Sequence, residues 1–216
     1  MTTYEFADPS RAPDTPAPAS GRNAPAPNRK TKRTGKYRVP PRERRHGLLI
    51  VNTGAGKGKT TAAFGTVTRA WGRGLRCAIF QFIKSAENPY GEHMACEKMQ
   101  IPITPFGDGF TWLSDDLNAD RALAAGGWAQ FQSALNGGEY DLIVFDELTY
   151  PLNYGWLDTA MVLRVIAERP KGTQVIVTGR DAAEALIAAA DMVTDMRVVK
   201  HPYSDQGIGA QPGIDL

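Results

Sequence analysis

The chain has 216 residues, 42% of them hydrophobic and 22% charged, which suits one α/β domain with a tail, since a domain takes roughly 100–200 residues. No apolar run approaches the ~20 residues that cross a bilayer, and the opening stretch MTTYEFADPS reads as no secretory signal, having neither a basic nor an apolar run. Two cysteines, Cys77 and Cys96, are too few and too unpatterned for a disulfide framework or a metal cluster, so the expected compartment is the cytosol.

The net charge of +2 is unevenly placed. Residues 1–46 hold 11 Lys or Arg against 4 Asp or Glu, whereas the remainder holds 14 against 19. The same first 46 residues carry 8 of the 15 prolines. Such a stretch buries too little apolar surface to offset its ordering entropy, so residues 1–36 read as a disordered basic tail and 37–46 as a transition segment. The acidic remainder argues against nucleic acid as the main substrate.

From residue 47 onward, apolar strands alternate with helices. GLLIVN (47–52) reads as a buried strand and residues 60–73 as a helix, with Ala63, Phe64, Val67, Ala70 and Trp71 at three- and four-residue spacing. CAIFQF (77–82) is a second strand, and a short one is expected near 101–105. Helical spacing resumes over 119–135, followed by the strand DLIVFDE (141–147) and a helix over 157–168. TQVIVTG (173–179) is the next strand, Asp181 is placed as the cap of a helix reaching about residue 190, and 192–199 alternates like a last strand. Strands that are apolar throughout imply a parallel sheet covered on both faces. The expected fold is therefore an α/β, three-layer α/β/α sandwich of about six strands, with ligands beyond the carboxyl ends of the strands.

The chemistry concentrates in TGAGKGKTT (53–61), between a strand and a helix. Gly54, Gly56 and Gly58 let a backbone curl its N–H groups around phosphate, aided by the helix start. Gly54, Ala55, Gly56, Lys57, Gly58, Lys59, Thr60 and Thr61 are thus the candidate nucleotide contacts. Lys59 supplies a mobile charge and Thr60 a hydroxyl for Mg²⁺. The general pattern G-x-x-x-x-G-K-[ST] has Gly where this chain has Thr53. Asp146 and Glu147, ending an apolar strand, are the further candidate metal contacts, with Glu147 also placed to polarise a water. Arg180, after the fifth strand, is a further candidate ATP contact. Glu92 and His93 fall in an expected loop, where a lone His is ordinarily solvated. A phosphate loop by itself does not choose between kinase, ATPase, switch and other nucleotide chemistry.

The chain resembles the P-loop corrinoid adenosyltransferases from about residue 47 to 216. The likeness rests on TGAGKGKTTAAFG (53–65), QFIK (81–84), GFTW (109–112), DELTYPLNYGWL (146–157), TGR (178–180) and VKHPYSDQGIGAQPGID (199–215). The family's own loop also has Thr where the general pattern has Gly. The resemblance implies that ATP is the co-substrate and that the cobalt of a reduced corrinoid attacks the ribose C5′, with triphosphate leaving. Mg²⁺ (Mn²⁺ as the alternative) and Lys59 would neutralise that triphosphate. It implies that aromatic residues, here Phe110 and Trp112, displace a lower axial ligand so that cobalt can be reduced. It also implies a flavoprotein reductant and a homodimer, although the helical N-terminal arm of better-known members has no match in this proline-rich tail. The competing expectation is a P-loop kinase or ATPase that cleaves the γ-phosphate.

Overall fold

In a computed structural model of the chain, the described residues are 38–85, 90–107 and 117–215. Val39–Leu216 form one compact unit. The expected tail, and the aromatic pair Phe110 and Trp112, lie outside the described residues.

The body is a six-stranded sheet. Its strands are β1 (Leu49–Thr53), β2 (Cys77–Ser85), β3 (Ile103–Gly107), β4 (Leu142–Asp146), β5 (Gln174–Thr178) and β6 (Met192–Asp195). Their order is β3-β2-β4-β5-β1-β6 and every neighbouring pair is parallel. The helices are α1 (Lys59–Gly72), α2 (Gly91–Met99), α3 (Leu117–Asn136), α4 (Thr149–Asn153), α5 (Thr159–Ala167), α6 (Glu184–Ala189) and α7 (Pro202–Gln206). Among the described residues no helix is long and apolar enough to cross a membrane.

Alternation along the strands explains the layers, because successive side chains point to opposite faces. Ile50, Cys77, Ile79, Leu142, Val144 and Ile176 pack with Ala63, Val67 and Ala70 of α1 and Cys96 of α2. Leu49, Val51, Ala78, Phe80, Ile143, Phe145, Val175 and Val177 pack on the other face with Trp128, Phe131 and Leu135 of α3, Val162 and Ile166 of α5 and Leu186 of α6. Along β1, β2, β4 and β5 both faces are buried, which is why these strands read as largely apolar runs. Burial raises the Cys77 thiol to about 12 and the Cys96 thiol to about 11, so neither is a thiolate near neutrality.

Several sequence expectations need correction. The last strand stops at Asp195 rather than 199, because the chain turns there onto the phosphate loop: the Met196 amide donates to the Thr53 carbonyl at 2.8 Å. Asp181 does not cap α6. Ala183 holds that position, and Asp181 sits in a left-handed turn at φ 51°. Residues 91–99 are helix, not loop.

The segment expected as a transition contains a 3₁₀ turn, Arg42–Arg44, tied to the amino-terminal ends of the strands. The Arg42 guanidinium donates to the carbonyls of Gly138 and Tyr140 and to Thr173 Oγ1. Arg45 pairs with Asp141 at 2.9 Å. Replacing Arg42 by Ala leaves those acceptors without their charged donor. The expected outcome is a loss of about 2–3 kcal/mol, read as a lower urea midpoint at unchanged slope; an unchanged midpoint would show that the segment is not part of the cooperative fold.

Candidate functional site

The carboxyl ends of β1, β2, β4 and β5 converge on one rim, and the residues singled out in the sequence are distributed among them. The turn after β1 opens at Gly54 (φ 96°) and closes at Gly58 (φ 102°), a left-handed conformation costly for a residue with a Cβ. Gly56 has a different requirement. A Cβ there would stand 2.5 Å from the Met196 carbonyl oxygen, and the Gly56 amide donates to that same oxygen at 2.6 Å. The glycine therefore permits a close approach of the chain's own C-terminal segment, and this N–H points to Met196 rather than into the loop. Thr53, the departure from the general pattern, has a local role: its hydroxyl accepts from the Ala182 amide at 3.1 Å, joining the end of β1 to the turn after β5.

Lys59 begins α1 and is 7% exposed. Its ammonium donates to the carbonyls of Gly54 (2.9 Å) and Gly56 (2.7 Å), bracing the loop from within. Desolvation lowers its pKa and the Arg180 charge lowers it further, while Glu147, Asp146 and Asp181 oppose that shift. An ammonium has three N–H donors, so one more remains for an anion held by the loop. Ala55, Lys57, Gly58 and Thr61 are exposed. The Lys57 ammonium pairs with the carboxylate of Asp215, whose pKa is lowered chiefly by that hydrogen bond.

The acidic strand end is organised around Asp146, which is fully buried. Its Oδ1 accepts from Thr60 Oγ1 at 2.8 Å and from Thr178 Oγ1 at 2.7 Å, and its Oδ2 accepts from Gln81 Nε2 at 2.9 Å. Strand register produces this meeting, for Gln81 lies directly opposite Asp146 in the β2–β4 pair. Glu147 follows at φ 61°, and its amide donates to Thr178 Oγ1 at 2.9 Å. Thr178 thus accepts from one acidic residue and donates to the other.

The structure brings together Gly54, Gly56, Lys59, Thr60, Asp146 and Glu147. Arg180 is exposed but close enough for its charge to act on Lys59 and Tyr150. His201 caps α7, its Nδ1 accepting from the amides of Tyr203 and Ser204. Gln81, Thr178 and His93 have no assigned role in the sequence reading. Far from being solvated, His93 Nε2 is 2.6 Å from Gln81 Oε1. One signal was available: Gln81 interrupts the apolar run CAIFQF, and a buried polar residue needs a partner. A groove of about 470 Å³ lined by Ala78, Phe80, Gln130, Ala134 and Tyr140 lies at the opposite ends of the strands and contributes nothing to this site.

Residues 45–216 match the family described as ATP:corrinoid adenosyltransferase BtuR/CobO/CobP. The chain is 41% identical over 174 residues to a corrinoid adenosyltransferase of Sinorhizobium sp, covering 79% of this chain and 80% of that protein. It is 39% identical over 178 residues to the corrinoid adenosyltransferase of Escherichia coli K12, covering 82% and 90%. It is equally identical, over the same shares, to the corrinoid adenosyltransferase CobA of Salmonella typhimurium LT2.

Thr178→Val keeps the side-chain shape but removes a donor from Asp146 and an acceptor from the Glu147 amide. Thermal unfolding of the ligand-free protein is expected to show a loss of about 2–4 kcal/mol; wild-type stability would mean that water replaces the hydroxyl without cost.

Proposed function

The chain belongs to the ATP:corrinoid adenosyltransferase family, and from that premise we propose how its residues divide the work. Adenosyl transfer from ATP to a corrinoid, in cobalamin biosynthesis, is the activity of the family to which it belongs. In the proposed step the cobalt of a reduced, cob(I) corrinoid supplies an electron pair to the ribose C5′ of ATP. A cobalt–carbon bond forms, the C5′–O bond breaks, and triphosphate leaves with the bonding pair.

The nucleophile belongs to the substrate, so the protein needs no serine, cysteine or general base. Its contribution is positioning and stabilisation of the leaving group. The observation carrying the proposal is the 2.8 Å hydrogen bond from Thr60 Oγ1 to Asp146, which joins the phosphate-loop helix to the acidic strand end. By donating its proton to the carboxylate, the hydroxyl keeps its lone pairs for a cation. The donor chemistry fits Mg²⁺. Thr60, Asp146 and Glu147 offer oxygen only, and among the described residues no three His, Cys, Asp or Glu side chains converge. That suits an ion held by a hydroxyl and one or two carboxylates, with phosphate oxygens and water completing its shell. Mn²⁺ accepts the same donors. When bound, the cation neutralises charge on the triphosphate. Lys59 adds its remaining N–H donor, and the amides of residues 54–61 other than that of Gly56, which is held by Met196, and the guanidinium of Arg180 complete the proposed nucleotide contacts.

Phe110 and Trp112 are proposed to displace the lower axial ligand of the corrinoid before reduction. A flavoprotein reductant and a homodimeric assembly belong to the same reading.

The direct test is anaerobic incubation with ATP, Mg²⁺ and chemically reduced cob(I)alamin. Adenosylcobalamin with one triphosphate per turnover is expected; release of ADP without corrinoid alkylation would replace this reading with γ-phosphate cleavage. Lys59→Ala is expected to lower kcat by about 10²–10³-fold, the scale of losing one charge-stabilising donor; near-normal turnover would remove Lys59 from the leaving-group site. Phe110→Ala and Trp112→Ala are expected to slow reaction from cob(II) far more than from cob(I). Equal losses in both assays would rule out the axial-ligand role.

A further inference from the structure

A partly buried hydrogen-bond chain runs from α2 to the proposed metal carboxylate, and its donors and acceptors can be assigned link by link. Asp146 is acceptor-only when ionised, so the Gln81 group at 2.9 Å from its Oδ2 must be the amide NH₂. That orientation sends Gln81 Oε1 toward His93, whose Nε2 lies 2.6 Å away and must therefore carry the proton. At the other side of the ring, Nδ1 accepts from the Tyr90 amide at 3.0 Å, which requires it to be unprotonated. One arrangement satisfies all three contacts: a neutral imidazole with its proton on Nε2, read from the network itself.

We propose that Gln81 and His93 are positioning residues that hold the Asp146 carboxylate in its metal-facing orientation, through this chain from the Tyr90 amide to the first turn of α1. The inference rests on the reading of Asp146 and Thr60 as the cation site. Two hydroxyls draw on Oδ1, and Gln81 holds Oδ2 against rotation. Gln81 is itself fully buried, and a side-chain amide can turn about its last torsion. His93 removes that freedom by donating to its oxygen. The α2 backbone in turn fixes His93, since the Tyr90 amide that binds its ring immediately precedes the helix. Outer residues that orient a metal ligand in this way ordinarily carry a measurable share of metal affinity.

The test measures Mn²⁺ binding to the full chain with ATP and no corrinoid, by the loss of the free Mn²⁺ signal in electron paramagnetic resonance. Gln81→Leu is expected to weaken Mn²⁺ by about 10–100-fold and His93→Phe by about tenfold. His93→Gln, which restores an N–H donor, is expected to recover most of the loss. Asp146→Asn serves as the reference. If Asp146→Asn abolishes Mn²⁺ binding while both Gln81→Leu and His93→Phe bind as wild type, the chain is structural only and the proposal fails alone. If Asp146→Asn leaves Mn²⁺ affinity unchanged, the cation site lies elsewhere and the proposal falls with it. His93 is only half-buried, so His93→Phe and His93→Gln decide the question even if Gln81→Leu does not fold, circular dichroism serving as the check.

Discussion

Everything at the rim of the sheet depends on one buried charge. A carboxylate removed from water costs several kcal/mol unless donors replace the solvent, and Asp146 is fully buried. Among the described residues, side-chain donors to it come from three separate elements: Thr60 from α1, Gln81 from β2 and Thr178 from β5. The requirement is mutual. Residue 81 must stand beside residue 146, so β2 and β4 have one acceptable register, and a slip of one residue would turn Gln81 toward the opposite face. The strands carry little register information of their own, because both faces of the sheet are apolar. The polar cluster at the rim supplies it.

The same economy of parts governs the phosphate loop. Its glycines are usually understood through the phosphate they admit, yet here two of them are also forced by protein. A Cβ on Gly54 would meet Asp195 Oδ1 at 2.0 Å, and one on Gly56 would meet the Met196 carbonyl. The stretch after β6 lies against the loop, Lys57 is paired to Asp215 in the last residues, and Lys59 braces two loop carbonyls from inside. The loop is thus supported on both sides by the chain itself. A site whose dipoles are already in place loses little to reorganisation when charge develops on the leaving group.

Much of this is legible in the sequence, and the reasons are particular. The strands are readable because parallel strands buried on both faces become continuous apolar runs, as LLIV (48–51) and LIVF (142–145) do. The loop, Lys59, Thr60 and Asp146 are readable because their chemistry dictates residue types at fixed spacing. The short helices α2, α4 and α7 are not. α4 spans five residues and contains Pro151, and α2 starts on glycine with a single fully buried residue, Cys96. Neither offers periodicity to detect. Missing α2 is what makes His93 look solvated, since its meaning comes entirely from the helix that turns it toward Gln81. Asp181 fails as a cap for a related reason: the Ala182 amide reaches back to the Thr53 hydroxyl, and the helix begins only after Ala183.

Backbone strain follows the same map. Among the described residues, four that are not glycine have positive φ. Gln100 is an ordinary left-handed helix end. Of the other three, Ile83 lies near the carboxyl end of β2, and Glu147 and Asp181 lie just beyond those of β4 and β5. For a β-branched residue such as Ile83 this conformation is a true outlier, and it coincides with the register shift between Phe82 and Ser85. Each such residue costs on the order of 1–3 kcal/mol and persists only where its surroundings over-determine it. Glu147 is held in place on its amino side: its amide donates to Thr178 Oγ1, whose own proton goes to Asp146. The strain therefore belongs to the same device as the buried charge, a strand end bent so that two adjacent acids share one threonine.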